Sequence, residues 1–108
     1  MSSMQSEIAS RLVQFLDLDT DGRRRFVLGV ILEAGEITVS SLYKAVKEQF
    51  ETSRKVVASL LGYICSKLGI LSAHKKSYRL PTVYVLKEEY ADLVKSVLNA
   101  TAASPSDS

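Results

Sequence analysis

Ser53-Arg54-Lys55-Val56-Val57-Ala58-Ser59-Leu60-Leu61-Gly62-Tyr63-Ile64, followed by Lys67-Leu68-Gly69-Ile70-Leu71, is the stretch whose reading organises the rest of this sequence. Val57, Leu60, Leu61, Ile64 and Leu68 recur at helical spacing and form one buried stripe. Thr52 or Ser53 stands where a helix cap belongs, so a helix is predicted from there to about Leu68, with Gly69 stopping it. Beyond Gly69 the pattern changes to β character over Ile70 to His74 and again over Thr82 to Leu86. The intervening Lys75-Lys76-Ser77-Tyr78-Arg79-Leu80-Pro81 is basic and turn-prone. The two arms read as a hairpin with a long tip. Pro81 implies that the second arm starts late or lies at a sheet edge.

Working back toward the amino end, Glu51-Thr52 is a short connection. It is preceded by a helix predicted from a Ser40 cap to about Phe50, with Leu42, Ala45, Val46 and Phe50 inward. Ile37-Thr38-Val39 is a run of β-type residues long enough for one short strand. Before it, Phe26, Val27, Val30, Ile31 and Ala34 form the stripe of another helix, capped by Thr20 or Asp21 and ended at Gly35. Ile8, Leu12, Phe15 and Leu16 mark an amphipathic helix over Ser6 to Asp17. On the far side of the hairpin, Lys87 to Asn99 forms a last helix with Tyr90, Leu93, Val94, Val97 and Leu98 on one face. Thr101 to Ser108 is small and polar and is expected to be disordered.

The predicted order is helix, short strand, helix, tight turn, helix, hairpin, helix. Two helices joined by a few residues, the second basic at its start, make a helix-turn-helix unit, and the hairpin after them makes a wing. The run from Arg24 to Leu86 resembles the winged-helix superfamily, the Leu68-Gly69 pair falling where the third helix runs into the first wing strand. Pro81-Thr82-Val83-Tyr84-Val85-Leu86-Lys87-Glu88-Glu89-Tyr90 is similar to an uncharacterised family of archaeal winged-helix proteins. The expected fold is therefore mainly α with a small β-hairpin: a winged helix-turn-helix with a three-helix core plus wing and additional N- and C-terminal helices. A single domain is expected over residues 1–100, divided into an N-terminal helix (6–17), core and wing (22–86) and C-terminal helix (87–99), with a tail at 101–108.

Composition limits the function classes. A length of 108 residues fits one domain, and 46% hydrophobic and 24% charged residues are ordinary for a soluble chain. No apolar run approaches a membrane span, and the start at Met1 has no basic region leading into an apolar one, so a cytoplasmic location is expected. Cys65 and His74 are single, so neither an internal disulfide nor a Cys- or His-rich metal site fits. The net charge is only +2, yet no Asp or Glu occurs between Glu51 and Glu88, where Arg54, Lys55, Lys67, Lys75, Lys76, Arg79 and Lys87 lie. Such a footprint suits phosphate neutralisation.

The expected function is double-stranded DNA binding by a transcription regulator, with Ser53, Arg54, Lys55, Ser59, Lys75, Lys76 and Arg79 as the DNA-binding residues. Arg54 and Lys55 occupy the first turn of the third helix, the part that enters the major groove in this superfamily. Arginine can bond a guanine edge through two hydrogen bonds, and lysine meets phosphate as a point charge. Ser59 offers a hydroxyl on the same face. The hairpin cations would lie on the backbone or in the minor groove, with Lys44 and Lys47 adding phosphate contacts. The alternative is a winged-helix protein-interaction module without direct DNA contact.

Asp17-x-Asp19-x-Asp21-Gly22 opens like a calcium loop, but the twelfth loop position is Leu28 and Arg23-Arg24-Arg25 follows directly, so these carboxylates read as caps and ion-pair partners. Arg23 to Arg25 are expected to pair locally across that turn. No catalytic residue, cofactor, metal or small-molecule substrate is expected. The apolar faces of the terminal helices either pack on one another or form a homodimer interface, and the dimer is slightly favoured.

Overall fold

The computed structural model describes residues 3–101. Five helices surround one small antiparallel sheet: α1 Ser3–Asp17, α2 Arg23–Ala34, β1 Glu36–Ile37, α3 Val39–Lys47, α4 Arg54–Tyr63, β2 Leu71–His74, β3 Val83–Leu86 and α5 Glu88–Thr101. Between α4 and β2 the helix continues as a π turn over Ile64–Leu68. The apolar stripes converge on a single core. Leu12, Val27, Leu42, Val46, Leu61, Ile64, Ile70 and Val94 are completely excluded from solvent. Leu28 joins them although its position lies off the predicted α2 stripe, whereas Ala34 is exposed. Helix α2 is covered on more than one side, so its buried arc is wider than one stripe.

The α1–α2 turn carries its own cap. Gly22 at the N-cap is left-handed (φ 88°) and has no side chain to offer. Asp19 reaches forward instead: its Oδ1 accepts from the Arg24 amide and its Oδ2 from the Arg25 amide, both at 3.1 Å. Asp21 Oδ1 accepts from the Arg23 amide at 3.0 Å and its carboxylate pairs with the Arg23 guanidinium at 3.4 Å. The cap expected from Thr20 or Asp21 is thus shared, and Asp19 supplies most of it. Arg24 and Arg25 do not pair with these carboxylates through their side chains. Arg24 donates to the Phe15 carbonyl and lies 4.6 Å over the Phe15 ring. Arg25 donates to Leu98 O at 2.9 Å and to the Thr101 hydroxyl.

The strand expected over Ile37–Val39 is shorter and earlier. Thr38 leaves the sheet to cap α3, its hydroxyl accepting from the Ser41 amide while Ser41 Oγ accepts from the Thr38 amide. This reciprocal pair satisfies two helix-end donors and displaces Ser40 from the capping role. Helix α3 closes at Lys47, and Phe50 follows in a turn whose amide donates to Val46 O at 2.9 Å.

The sheet order is β1-β3-β2. The second arm of the hairpin does start late, two residues after Pro81, but it is the central strand and not an edge. It pairs with β1 (Glu36 with Val85, Ile37 with Tyr84) and with β2 (Leu71 with Leu86 through His74 with Val83). Pro81 precedes the ladder, so its missing N–H removes no sheet hydrogen bond.

Helices α1 and α5 pack on each other and on α2. Of the residues behind the dimer expectation, Ile8, Leu12, Phe15, Leu16, Tyr90 and Val97 lie in the chain's own core, and Leu93 and Leu98 pack against it partly buried. Helix α5 runs two residues further than predicted, and Thr101, assigned to the tail, ends it by donating to Val97 O. The rest of the expected tail, 102–108, lies outside the described residues. No helix among the described residues is long and apolar enough to cross a membrane.

Candidate nucleic-acid interface

The orientation of α4 follows from three anchors. Its buried stripe of Val57 and Leu61 continues into Ile64 and Leu68 of the π turn. Tyr63 stacks on Phe15 of α1, ring centroids 5.9 Å apart and planes within 18°. At its start, Ser53 Oγ caps the helix by accepting from the Val56 amide at 3.2 Å. The turn before that cap is pinned from α2: Phe50 meets Phe26 edge-on at 5.7 Å, and Arg23 lies over Phe50 while donating to Glu51 O.

With the stripe fixed, Ser53, Arg54, Lys55 and Ser59 are all exposed. Lys55, Ser59 and Gly62 fall on the line opposite the buried residues, at spacings of four and three. Arg54 sits to one side, its guanidinium donating to Ser40 Oγ at the start of α3. Ser53 is partly committed to its cap. Cations in the first turn of α4 oppose the positive end of the helix dipole, at a cost of about 0.3–1 kcal/mol that a phosphate would relieve.

Lys75, Lys76 and Arg79 are exposed in the β2–β3 connection, beside exposed His74 at the end of β2. Ser77 shapes the tip: its carbonyl accepts from Leu80 N and its hydroxyl from Arg79 N. Among the described residues, none of the seven cations in 52–87 forms an ion pair; those seen are Glu7–Arg11 and Asp21–Arg23. The two predicted clusters are each assembled locally, and no hydrogen bond among the described residues joins tip to α4. On α3, Lys44 is exposed, and Lys47 lies 5.3 Å from the Tyr43 ring centroid.

Two features escaped the sequence reading. A groove of about 550 Å³ runs beside α4, between Val56, Ser59, Leu60 and Tyr63 on one side and Leu18, Asp19 and Asp21 on the other. The tip also displays Tyr78, 86% exposed, and Leu80, 50% exposed. The signal for the second was an aromatic residue inside a run of cations. The first depends on where the α1–α2 turn packs, which no local pattern encodes.

Residues 12–94 match a family described as "Protein of unknown function (DUF2551)". The chain belongs to the DUF2551 family. An Archaeoglobus fulgidus protein, described as uncharacterized, is 35% identical over 96 residues, covering 88% of this chain and 96% of that one. No solved structure matches. The DUF2551 span begins at Leu12 in α1 and ends at Val94 in α5, both fully buried. The matched span therefore holds α2 through β3 complete, with the end of α1 and the first half of α5.

Proposed function

We propose that this chain is a winged helix-turn-helix domain that binds double-stranded DNA as a transcription regulator. Helix α4 enters the major groove, and the β2–β3 hairpin lies along the backbone or in the minor groove. The observation that carries the reading is the coincidence of two independent features. One is the order α2, β1, α3, α4, β2, β3, with β1 completing a three-stranded sheet beside the hairpin. The other is the acid-free stretch, whose unpaired cations emerge at the start of α4 and at the hairpin tip. Lys55 and the tip lysines meet phosphate. Arg54 leaves Ser40 to reach a base edge, which gives Ser40 the role of holding the guanidinium when DNA is absent.

Anisotropy titration with random-sequence duplex tests this reading. A dissociation constant of about 10⁻⁴–10⁻⁶ M that weakens steeply with salt is expected, with marked loss in the Arg54→Ala/Lys55→Ala double variant. No binding at low salt, or binding indifferent to those substitutions, would sink it.

A protein-interaction module is the second reading, favoured by the groove beside α4. Leu18 (66% exposed), Val56 (44%) and Tyr63 (45%) put apolar surface there, and Asp19 and Asp21 in its lining are balanced by Arg23 and Arg24, which leaves no excess of positive charge for phosphate. Charge reversal at Asp21 strengthens DNA binding if α4 faces DNA and leaves it absent if α4 faces a protein.

A further inference from the structure

We infer that the hairpin tip carries a base-stacking site for unpaired nucleotides, built on Tyr78. The inference rests on the DNA-binding reading and goes beyond it, because a duplex interior offers no open base face. Three observations converge. Tyr78 is 86% exposed, well above the 45% of Tyr63 and in contrast to Tyr90 in the core. Among the described residues its ring joins no aromatic pair and no cation–ring contact. Its backbone position is set by a closed turn: Leu80 N donates to Ser77 O at 3.1 Å and Arg79 N to Ser77 Oγ at 3.2 Å.

An exposed tyrosine has only two side-chain torsions to lose when a base lies on its ring. Lys75, Lys76 and Arg79 lie within three residues of Tyr78 and outnumber the one acid beside the hairpin, Glu36 of β1, which shares a hollow with His74, Lys76, Leu80 and Pro81. Exposed Leu80 and Pro81 continue the apolar surface where a sugar would rest. Stacking on an aromatic platform beside cations is sequence-tolerant, since every base has a π face. The partner is therefore DNA with an open end, gap or single-stranded extension beside a duplex, and the tip engages its first unpaired bases.

The test compares the full chain on a blunt duplex and on the same duplex carrying a short single-stranded extension with 2-aminopurine as its first unpaired base. The extended duplex should bind roughly 5- to 100-fold tighter, and its 2-aminopurine fluorescence should be quenched. Tyr78→Phe keeps both effects. Tyr78→Ser loses both while leaving blunt-duplex affinity and the circular dichroism spectrum unchanged. Blunt-duplex binding with no preference for the extension, or a preference and quenching that survive Tyr78→Ser, overturns the stacking site and leaves the DNA-binding reading intact. Absence of binding to either DNA overturns both.

Discussion

Replacing Asp19 with alanine removes the acceptor for two helix-end amides at once. Arg24 N and Arg25 N each donate to it at 3.1 Å, and Gly22 at the N-cap has nothing to substitute. Loss of an N-cap costs about 0.5–2 kcal/mol, and hydrogen bonds to a charged group lie toward the stronger end. The carboxylate also offsets three successive arginines at the positive end of the α2 dipole, which adds about 0.3–1 kcal/mol. Together these give a destabilisation of roughly 2–3 kcal/mol, and a fall in Tm on the order of 10 °C. Urea unfolding followed by circular dichroism reads the difference directly. Asp17→Ala is the control: Asp17 is exposed and its carboxylate accepts no hydrogen bond among the described residues, so it should stay within about 0.5 kcal/mol of the parent. Asp19→Asn should fall between, since its amide oxygen can serve one donor but carries no charge. If Asp19→Ala unfolds with the same midpoint as Asp17→Ala, the capping argument is wrong.

The α3 cap makes a parallel case: Thr38→Ala should cost about 0.5–2 kcal/mol in chemical denaturation, and Ser41→Ala a similar amount, because each serves the other's amide. On the functional side, Lys75→Ala and Lys76→Ala should each lower the slope of log affinity against log salt by about 0.9, with little change in the preferred DNA sequence. An unchanged slope removes the tip from the phosphate contacts. Burial, and then the adjacent Glu89 carboxylate, raise the Tyr90 phenol above its ordinary value of 10.0. The folded chain thus holds that proton more tightly than the unfolded one, so this contribution is intact below pH 10 and is lost as pH climbs through the raised value. Tyr90→Phe should flatten that alkaline decline in stability.

Helical periodicity made most of the architecture legible. The stripes of α1, α4 and α5 were readable because each buries a single face, and Gly35 and Gly69 ended their helices in the positive-φ conformations that favour glycine. Ile37-Thr38-Val39 misled because β-branched residues look alike in a strand and beside a cap; only the reciprocal Thr38–Ser41 bonds distinguish them. The central position of β3 was hidden because a lone Pro81 reads the same before a ladder as at its edge. Arg25 reaching Leu98 and Thr101 joins residues 73 and 76 positions apart in the chain, beyond anything neighbouring residues announce. The α4 and tip clusters were legible through charge, whereas the groove and the isolation of Tyr78 are products of packing.

The strand order has a consequence for how the chain is made. The middle strand of the sheet is the last in sequence, so β1 and β2 each lack their partner until residues 83–86 exist. Helix α1 waits longer still, because its apolar face rests partly on α5. A nascent chain stopped before Val83 holds contacts among helices and of β1 and β2 with their neighbouring helical segments, but no strand pairing, and part of α1's apolar face is uncovered. Such a species is aggregation-prone and open to chaperones. Cooperative assembly is thus gated by the final segment of the fold, and early termination there discards far more structure than the missing residues themselves contain.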